Sequence, residues 1–330
     1  MATFTTIEFP LDLPVEKKGD AWHARAGDKQ LRLSNLDKVY WPDEGFTKGD
    51  LLTYYFNVSP TMLPHLHDRP LTLKRMPNGV KGDFFYEKNA PRHTPDWMTT
   101  IPVKVESENR TVNFLTVCDV ADMLYVANLG CIEFHPLHTR SGDQKHPTYA
   151  FFDLDPFPPA TNDDVKHVAS LIKVVLDQLG LTSYPKTTGA TGLVVMVPLD
   201  GATDYDWVRG FVGGVSDLVH AADPEHTTME WEIPKRKGKV FLDVNMNREG
   251  ANIAAAYSVR PEPGGTVSAP FEWDEIDDIY PERFTMATML DRIAEVGDPF
   301  LPVAQGPGQN LDAALKKLDA TPRKAREFKR

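Results

Sequence analysis

One segment, residues 149–155, constrains the fold more than any other, because it places two carboxylates within an apolar run (Tyr-Ala-Phe-Phe-Asp-Leu-Asp). Its apolar residues predict a buried β-strand, and three prolines in the next four residues end that strand. Side chains two apart on a strand share a face. The sequence therefore predicts that Asp153 and Asp155 project together from a mostly buried strand.

A regular alternation of elements follows this strand. Residues 161–164 (Thr-Asn-Asp-Asp) offer a helix cap, apolar residues then recur at helical spacing, and Gly180 ends the helix. The apolar run at 192–197 predicts a strand, residues 205–222 a second helix, and residues 240–244 another buried strand. The sequence therefore predicts an α+β fold with mixed sheets.

The flanking regions carry weaker signals. Short strands are possible in residues 1–30, and residues 48–55 predict a helix with apolar side chains on one face. Residues 71–74 and 101–105 read as short β-strands. Residues 301–330 are rich in glycine and proline and then in basic residues, which indicates a basic C-terminal tail, docked or loose.

Composition limits the compartments and the binding partners that can be expected for this chain. The net charge of −11 argues against a uniformly basic nucleic-acid-binding surface, but the basic run at 235–239 leaves room for a local basic cleft. No apolar run approaches the ~20 residues that span a bilayer, and no secretion signal is seen. The two cysteines, Cys118 and Cys131, fit a reducing cytosol, and we expect both thiols to be buried.

A third acid, Asp243, lies in the apolar strand predicted at 240–244. Neighbouring carboxylates beside apolar residues need a compensating charge, and a divalent cation supplies it. Carboxylates with open positions suit Mg²⁺ or Mn²⁺, and two such ions about 4 Å apart serve phosphoryl transfer. Alternatively, the first strand simply ends and Asp153 and Asp155 reach solvent. The acids alone do not separate a polymerase from a nuclease.

Eight motifs, in order along residues 30–300, resemble one family: the polymerase domain of bacterial ligase D, in the archaeo-eukaryotic primase superfamily. The resemblance is strongest to its stand-alone actinobacterial relatives, called Prim-PolC. The motifs are Leu33–Pro42, Thr47–Asp50, Arg69–Arg75, Ile132–His138, Phe152–Pro156, Lys186–Gly189, Val240–Asp243 and Ala256–Pro261.

The resemblance implies a primase-type catalytic core with an RRM-like mixed or antiparallel sheet. It divides the chain into a primase-polymerase domain over residues 1–300 and the tail at 301–330. Within the domain, an N-terminal lobe of about residues 1–130 would contact DNA and its 5′-phosphate, and about residues 131–300 would form the core. The implied activity is nucleotide addition, often of ribonucleotides, with manganese favoured.

The resemblance also assigns roles to individual residues. The metal-binding catalytic acids would be Asp153, Asp155 and Asp243. The residues implied to contact the incoming nucleotide are Lys74, His135, Thr188, Arg236 and Arg260. The residues implied to contact DNA are Lys38 and Lys48, at a 5′-phosphate across a gap, and Phe85 and Tyr86, which would stack on a template base.

Some positions depart from the family pattern. In the segment 188–194, Thr191 stands where a basic residue is usual and Val194 where a histidine is usual. Met246 likewise replaces a polar residue. Because a phosphate donor lost from a dry site weakens transition-state stabilisation, these changes indicate weaker or rearranged triphosphate binding.

Together these observations predict a metal-dependent primase-polymerase of DNA repair, a nucleotidyltransferase that fills short gaps. Its expected partners are NTP or dNTP, gapped or broken DNA with a 5′-phosphate, and a separate DNA ligase or end-binding protein, with no membrane. The expected location is the bacterial cytoplasm, near the nucleoid. The alternatives are a metal-dependent nuclease and a DNA-binding module with a degenerate catalytic site.

Overall fold

The structure, a computed structural model, describes residues 15–19, 21–105 and 110–326. The strands in these residues are β1 (Val15–Lys18), β2 (Ala21–Ala26), β3 (Lys29–Leu33), β4 (Val39–Trp41), β5 (Phe46–Thr47), β6 (Leu71–Arg75), β7 (Phe85–Glu87), β8 (Thr100–Val105), β9 (Arg110–Leu115), β10 (Cys131–Pro136), β11 (Tyr149–Pro156), β12 (Tyr184–Thr187), β13 (Leu193–Pro198), β14 (Thr227–Thr228) and β15 (Val240–Leu242). The α-helices are α1 (Lys48–Leu66), α2 (Val120–Asn128), α3 (Asn162–Leu179), α4 (Tyr205–Ala222), α5 (Met289–Val296), α6 (Leu301–Gln305) and α7 (Asp312–Lys317). Within the described residues, no helix combines the length and apolarity needed to cross a membrane.

The strand predicted around the paired acids is the centre of a five-stranded sheet with the order β12-β13-β11-β15-β14. Strand β11 runs antiparallel to both neighbours, and β14 and β15 form the single parallel pair of this sheet. Helices α3 and α4 pack on one face, where the rings of Phe152 and Phe211 lie 6.1 Å apart. Alternation along β11 therefore turns Asp153 and Asp155 to the face opposite the helices. The predicted α+β class with a mixed sheet is confirmed.

Local sequence explains why α3 begins and ends where it does. Thr161 and Asp164 form a reciprocal capping box at its start, and Gly180 ends it in the left-handed region at φ 81°. Between them Val165, Val168, Ile172 and Leu176 recur at helical spacing and are buried. The bounds predicted for α4, residues 205–222, are those observed.

A second five-stranded sheet has the order β10-β6-β9-β8, with β7 paired to β6. Helix α1, predicted over 48–55, continues to Leu66 through two internal prolines. Pro60 has no N–H for the carbonyl of Phe56, and that carbonyl instead accepts a hydrogen bond of 2.8 Å from the Ser59 hydroxyl. A side chain thus replaces the lost backbone donor, and the helix is not ended.

One continuous apolar core connects the two sheets. Tyr55 of α1 is fully buried, and its hydroxyl donates to the Ile132 carbonyl of β10 at 2.5 Å. The same hydroxyl accepts a hydrogen bond from the backbone N–H of Val259 at 3.1 Å. Tyr55 therefore ties α1, the second sheet and the segment after β15 together.

The basic C-terminal segment is docked as far as residue 326, and residues 327–330 lie outside the described residues. Leu311 and Ala314 are buried, and α7 packs against α3 and α4. The guanidinium of Arg209 on α4 donates to the carbonyl of Arg323 at 2.8 Å.

The prediction that both thiols are buried is wrong for one cysteine. Cys131 is fully buried on β10, and burial raises the pKa of its thiol to about 12. Cys118 is exposed because it lies immediately before Asp119, the N-cap of α2, where the chain turns at the surface.

We expect Tyr55→Phe to lower the free energy of unfolding by about 1–3 kcal/mol, because it leaves a buried donor and a buried acceptor without their partner. The exposed Tyr280, changed to Phe in the same way, is the matched control and should change the free energy by less than about 0.5 kcal/mol. Urea unfolding of both variants measures this, and equal effects would contradict the linking role of Tyr55.

Candidate active site

The three predicted acids converge at the centre of the first sheet. Asp153 and Asp155 project from one face of β11, and Asp243 follows directly on the neighbouring strand β15. The backbone N–H of Asp243 bonds the carbonyl of Asp153 at 3.3 Å. Strand β15 ends at Leu242, so Asp243 lies one residue past the strand, where its carboxylate accepts from the N–H of Asn245 at 2.9 Å. All three carboxylates are half-buried.

Electrostatics shows that these carboxylates are short of positive charge. Burial first, and then the charges of Asp155 and Asp243, raise the pKa of Asp153 well above its usual range. Burial and the charge of Asp243 raise the pKa of Asp155, and burial raises that of Asp243. A cluster of carboxylates in this state fits hard divalent cations such as Mg²⁺ or Mn²⁺, which would supply the missing charge.

A buried lysine to which the sequence analysis gave no role, Lys186, lies beside the acids. Lys186 of β12, Val194 of β13 and Asp153 of β11 form one row across the sheet, by the strand register. Lys186 is fully buried, and its ammonium donates to the hydroxyl of Ser268 at 2.6 Å. Burial, followed by the nearby charge of Arg260, lowers its pKa to about 7, while Asp153 acts in the opposite direction. The resemblance implies a histidine at position 194. The residue there is Val194, which is fully buried and lies between Lys186 and Asp153 in this row.

A second residue without a predicted role, Glu133, contacts three of the side chains predicted to bind the nucleotide. Its buried carboxylate lies 2.6 Å from the Lys74 ammonium, 2.5 Å from Arg260 Nε and 3.5 Å from His135 Nε2. Burial acts to raise the pKa of Glu133, but the neighbouring His135, Arg260 and Lys74 outweigh it and hold that pKa well below its usual range. Glu133 therefore fixes the positions of these three groups.

Arg236 is held on the other side of the acids. Its guanidinium lies 3.5 Å from the ring centroid of Phe241 and donates to the carbonyls of Glu230 and Trp231 at 2.9 and 2.6 Å. Its charge lowers the pKa values of Asp155 and Asp243, although burial outweighs it at both.

Thr188 begins a tight loop against the same face. Its hydroxyl accepts hydrogen bonds from the N–H groups of Ala190 and Gly192, and its carbonyl accepts one from Arg260 at 2.6 Å. A Cβ on Gly192 would lie 2.3 Å from the Leu154 carbonyl oxygen and 3.3 Å from a carboxylate oxygen of Asp155. Glycine is needed here because the loop touches the strand that carries the acids.

The two lysines expected at a 5′-phosphate lie in the N-terminal part of the chain. Lys48 is buried, and its ammonium donates to the carbonyls of Ser34 and Asn128 at 2.8 and 2.7 Å. Burial, followed by the charges of Lys38 and Arg75, lowers its pKa to about 8. Lys38 is half-buried and donates to the carbonyl of Pro77 at 2.7 Å.

A cavity of about 650 Å³ opens beside Lys48. Arg75, His93, Asn35 and Asn128 also line it, whereas Lys38 does not. The lining offers cationic and amide donors to an anion.

The aromatic residues expected to face DNA are exposed on and beside β7. Tyr86 pairs in register with Lys74 and Phe85 with Arg75. The Arg75 guanidinium lies 5.1 Å from the ring centroid of Phe85. Tyr86 contacts Phe84, not Phe85, with ring centroids 5.8 Å apart. Because alternate residues face opposite sides of a strand, Phe85 and Tyr86 do not form one stacking surface.

Apart from Phe85 and Tyr86, the predicted residues fall into two groups. The acids, Arg260, Arg236 and Thr188 surround one centre together with Lys186, and Glu133 connects Lys74 and His135 to it through Arg260. The second group, Lys38 and Lys48, lies near Arg75 in the N-terminal part. The first group combines acids that can bind cations with donors suited to phosphate.

Comparison with known proteins identifies the family. The sequence model of the LigD primase-polymerase domain family matches residues 47–300 of this chain. The chain is 33% identical to the bifunctional non-homologous end joining protein LigD of Bacillus subtilis, over 90% of this chain and 48% of that protein. It is 32% identical to the multifunctional non-homologous end joining protein LigD of Mycolicibacterium smegmatis, over 83% of this chain and 36% of that protein. The chain therefore spans less than half the length of these relatives.

Comparison with a solved structure supports the same family. The polymerase domain from Mycobacterium tuberculosis Ligase D, in complex with DNA, superposes with a TM-score of 0.78 at 30% identity, covering 83% of this chain and 98% of that one. The chain belongs to the LigD primase-polymerase domain family, and is therefore a nucleotidyltransferase of the primase-polymerase class.

Proposed function

We propose that this chain is a metal-dependent polymerase that adds ribo- or deoxyribonucleotides to a primer end at short gaps or breaks in DNA. The observation that carries the proposal is the convergence of Asp153, Asp155 and Asp243 on one sheet face, short of positive charge and bordered by cationic side chains. The names of the relatives, which are end-joining proteins, and the DNA complex of the similar domain support the same reaction.

The three acids would hold two Mg²⁺ or Mn²⁺ ions. When bound, such a pair stabilises the attacking hydroxyl and the leaving pyrophosphate of an in-line displacement. The protein's part is to keep the carboxylates in place: pairing of β11 with β13 and β15 fixes the two strands, and the Asn245 N–H orients Asp243.

The incoming triphosphate would bind the donors on the same side. Lys74, His135 and Arg260 are held in position by Glu133, and one buried carboxylate balances only part of their charge. Arg236 approaches from the other edge of the acids, and the Thr188 hydroxyl, which donates to the Gly192 carbonyl at 3.1 Å, would turn from that carbonyl to a phosphate oxygen. These groups would neutralise phosphate charge without a large rearrangement.

DNA would lie across the N-terminal part of the chain. We assign a downstream 5′-phosphate to the cavity beside Lys48, with Arg75 in its lining and Lys38 near its edge. The exposed rings of Phe85 and Tyr86 would contact template bases at separate points, each stacking contact being worth about 1–3 kcal/mol.

Further partners follow from the chemistry of the product. Gap filling leaves a nick, so a DNA ligase must act next, and an end-binding protein is a second proposed partner. The bacterial cytoplasm, near the nucleoid, is the proposed location.

We expect Asp155→Asn to reduce primer extension by about 1000-fold or more, since losing a metal-binding carboxylate removes several kcal/mol of transition-state stabilisation. Asp163→Asn is the matched control, because Asp163 is an exposed acid on α3 whose carboxylate lies 2.8 Å from the Lys166 ammonium. Extension of a labelled primer across a 5′-phosphorylated gap, with Mn²⁺ and either nucleotide type, measures both variants.

Two results would contradict the proposed activity. Shortening of the primer without nucleotides would indicate a nuclease. Normal binding of gapped DNA by the unaltered chain without any metal-stimulated synthesis would indicate a binding module with a degenerate site.

We expect removal of the 5′-phosphate from the gap to weaken DNA binding by the unaltered chain. The double variant Lys38→Ala, Lys48→Ala should bind both substrates equally, whereas the control Lys81→Ala, an exposed lysine paired with Asp43, should keep the difference. Fluorescence anisotropy at fixed salt measures this, because phosphate contacts depend on ionic strength. A preference that survives the double substitution would refute the assignment of the cavity.

The same preference should depend on pH. Because burial lowers the pKa of Lys48 to about 8, its ammonium loses its proton as the pH rises through that value. We expect the preference for a 5′-phosphate to shrink as the pH is raised from about 7 to about 9, where ordinary lysines stay charged. A preference unchanged over this range would exclude Lys48 as the main phosphate contact.

A further inference from the structure

Two histidines and an aspartate meet on the face of the first sheet's helical layer, in a cluster that the reaction described above does not use. His167 lies on α3, Asp223 is the C-cap of α4, and His226 precedes β14. Each offers one nitrogen or oxygen atom, and these three atoms all lie within 4.8 Å of one another. Side chains from separate elements therefore converge on one point.

The distances around Asp223 suit a bound cation. His167 Nε2 lies 2.9 Å from Asp223 Oδ2, and His226 Nδ1 lies 2.9 and 3.0 Å from the two carboxylate oxygens. Ligands of a tetrahedral zinc ion lie roughly 3.3–3.6 Å apart, given bonds of about 2.0–2.2 Å. Small shifts, with loss of the ring N–H protons now facing the carboxylate, would let all three atoms bind one ion.

The surroundings of the cluster also fit a metal site. The Asp223 carboxylate is only 14% exposed, whereas the rings of His167 and His226 are about half exposed, so an ion could enter from solvent. The second nitrogen of His226 faces the carboxylate of Asp164, at 4.0 Å. A carboxylate behind a ligating histidine orients the ring in many zinc sites.

We propose that His167, Asp223 and His226 bind a zinc ion, with water as the fourth ligand, at a site separate from the three acids of the active site. Two imidazoles and one carboxylate favour zinc over the harder Mg²⁺, which prefers oxygen ligands. The site ties α3 to the segment between α4 and β14.

This zinc site stabilises the edge of the catalytic sheet. The His226 carbonyl accepts a hydrogen bond of 2.7 Å from the N–H of Val240, the first residue of β15, and β15 leads directly to Asp243. An ion that fixes His226 therefore holds the start of the strand that positions the third acid.

The test is a titration of Zn²⁺ into the untagged full chain after chelation, in excess Mg²⁺ so that oxygen-rich sites are filled. We expect one equivalent of Zn²⁺ to bind and to raise the Tm. His167→Ala and His226→Ala should each weaken binding by about 100-fold or more, since even the groups behind metal ligands are worth 10–100-fold.

The chain provides a matched control, His146→Ala. His146 is partly exposed and lies 2.7 Å from a carboxylate, that of Asp143, but that pair is not part of the three-residue cluster. This variant should bind Zn²⁺ as the unaltered chain does. Replacing Zn²⁺ with Co²⁺ gives a second readout on the unaltered chain, the intense visible absorption of a tetrahedral ion. Failure to bind, binding untouched by either histidine substitution, or a weak octahedral Co²⁺ spectrum would each overturn the proposal.

Discussion

Repulsion among three carboxylates is the constraint on which the rest of the site depends. Asp153, Asp155 and Asp243 are brought together by pairing of β11 with β15, and burial prevents water from screening them fully. Burial first, and then the charges of neighbouring acids, raise the pKa values of Asp153 and Asp155, and burial raises that of Asp243. Helices α3 and α4 pack on the opposite face of β11, so the carboxylates project on the side away from the helices. The fold thus leaves uncompensated negative charge at one place, and metal ions and cationic side chains can neutralise it.

The cationic side chains around the three acids are held by contacts that join both sheets. Glu133 belongs to β10 of the second sheet, yet its carboxylate holds Arg260 of the segment after β15, and Arg260 in turn holds the Thr188 carbonyl. Removing one partner of a buried ion pair generally costs about 3–5 kcal/mol, so this chain of contacts fixes the two sheets relative to each other. The same side chains therefore serve both folding and the placement of phosphate-binding groups.

Sequence patterns predicted the elements that carry strong local signals. The apolar run around Asp153, the capping residues of α3 and the periodicity of α4 act within a few residues, and each element formed as expected. Glu133 and Lys186 lie in two of the motifs but received no role, because a charged residue usually lies at the surface and only the tertiary fold shows that both are buried. The cluster of His167 and His226 was not predicted from the sequence for a related reason, since only the packing of separate elements brings the two histidines together.

The most direct test is an anomalous diffraction experiment on crystals of the chain soaked with Mn²⁺ and a non-hydrolysable nucleoside triphosphate. We expect manganese peaks within coordination distance of Asp153, Asp155 and Asp243, with the triphosphate against Lys74 and Arg260. Bound nucleotide without manganese at these acids, or manganese only elsewhere in the molecule, would contradict the assignment of the active site.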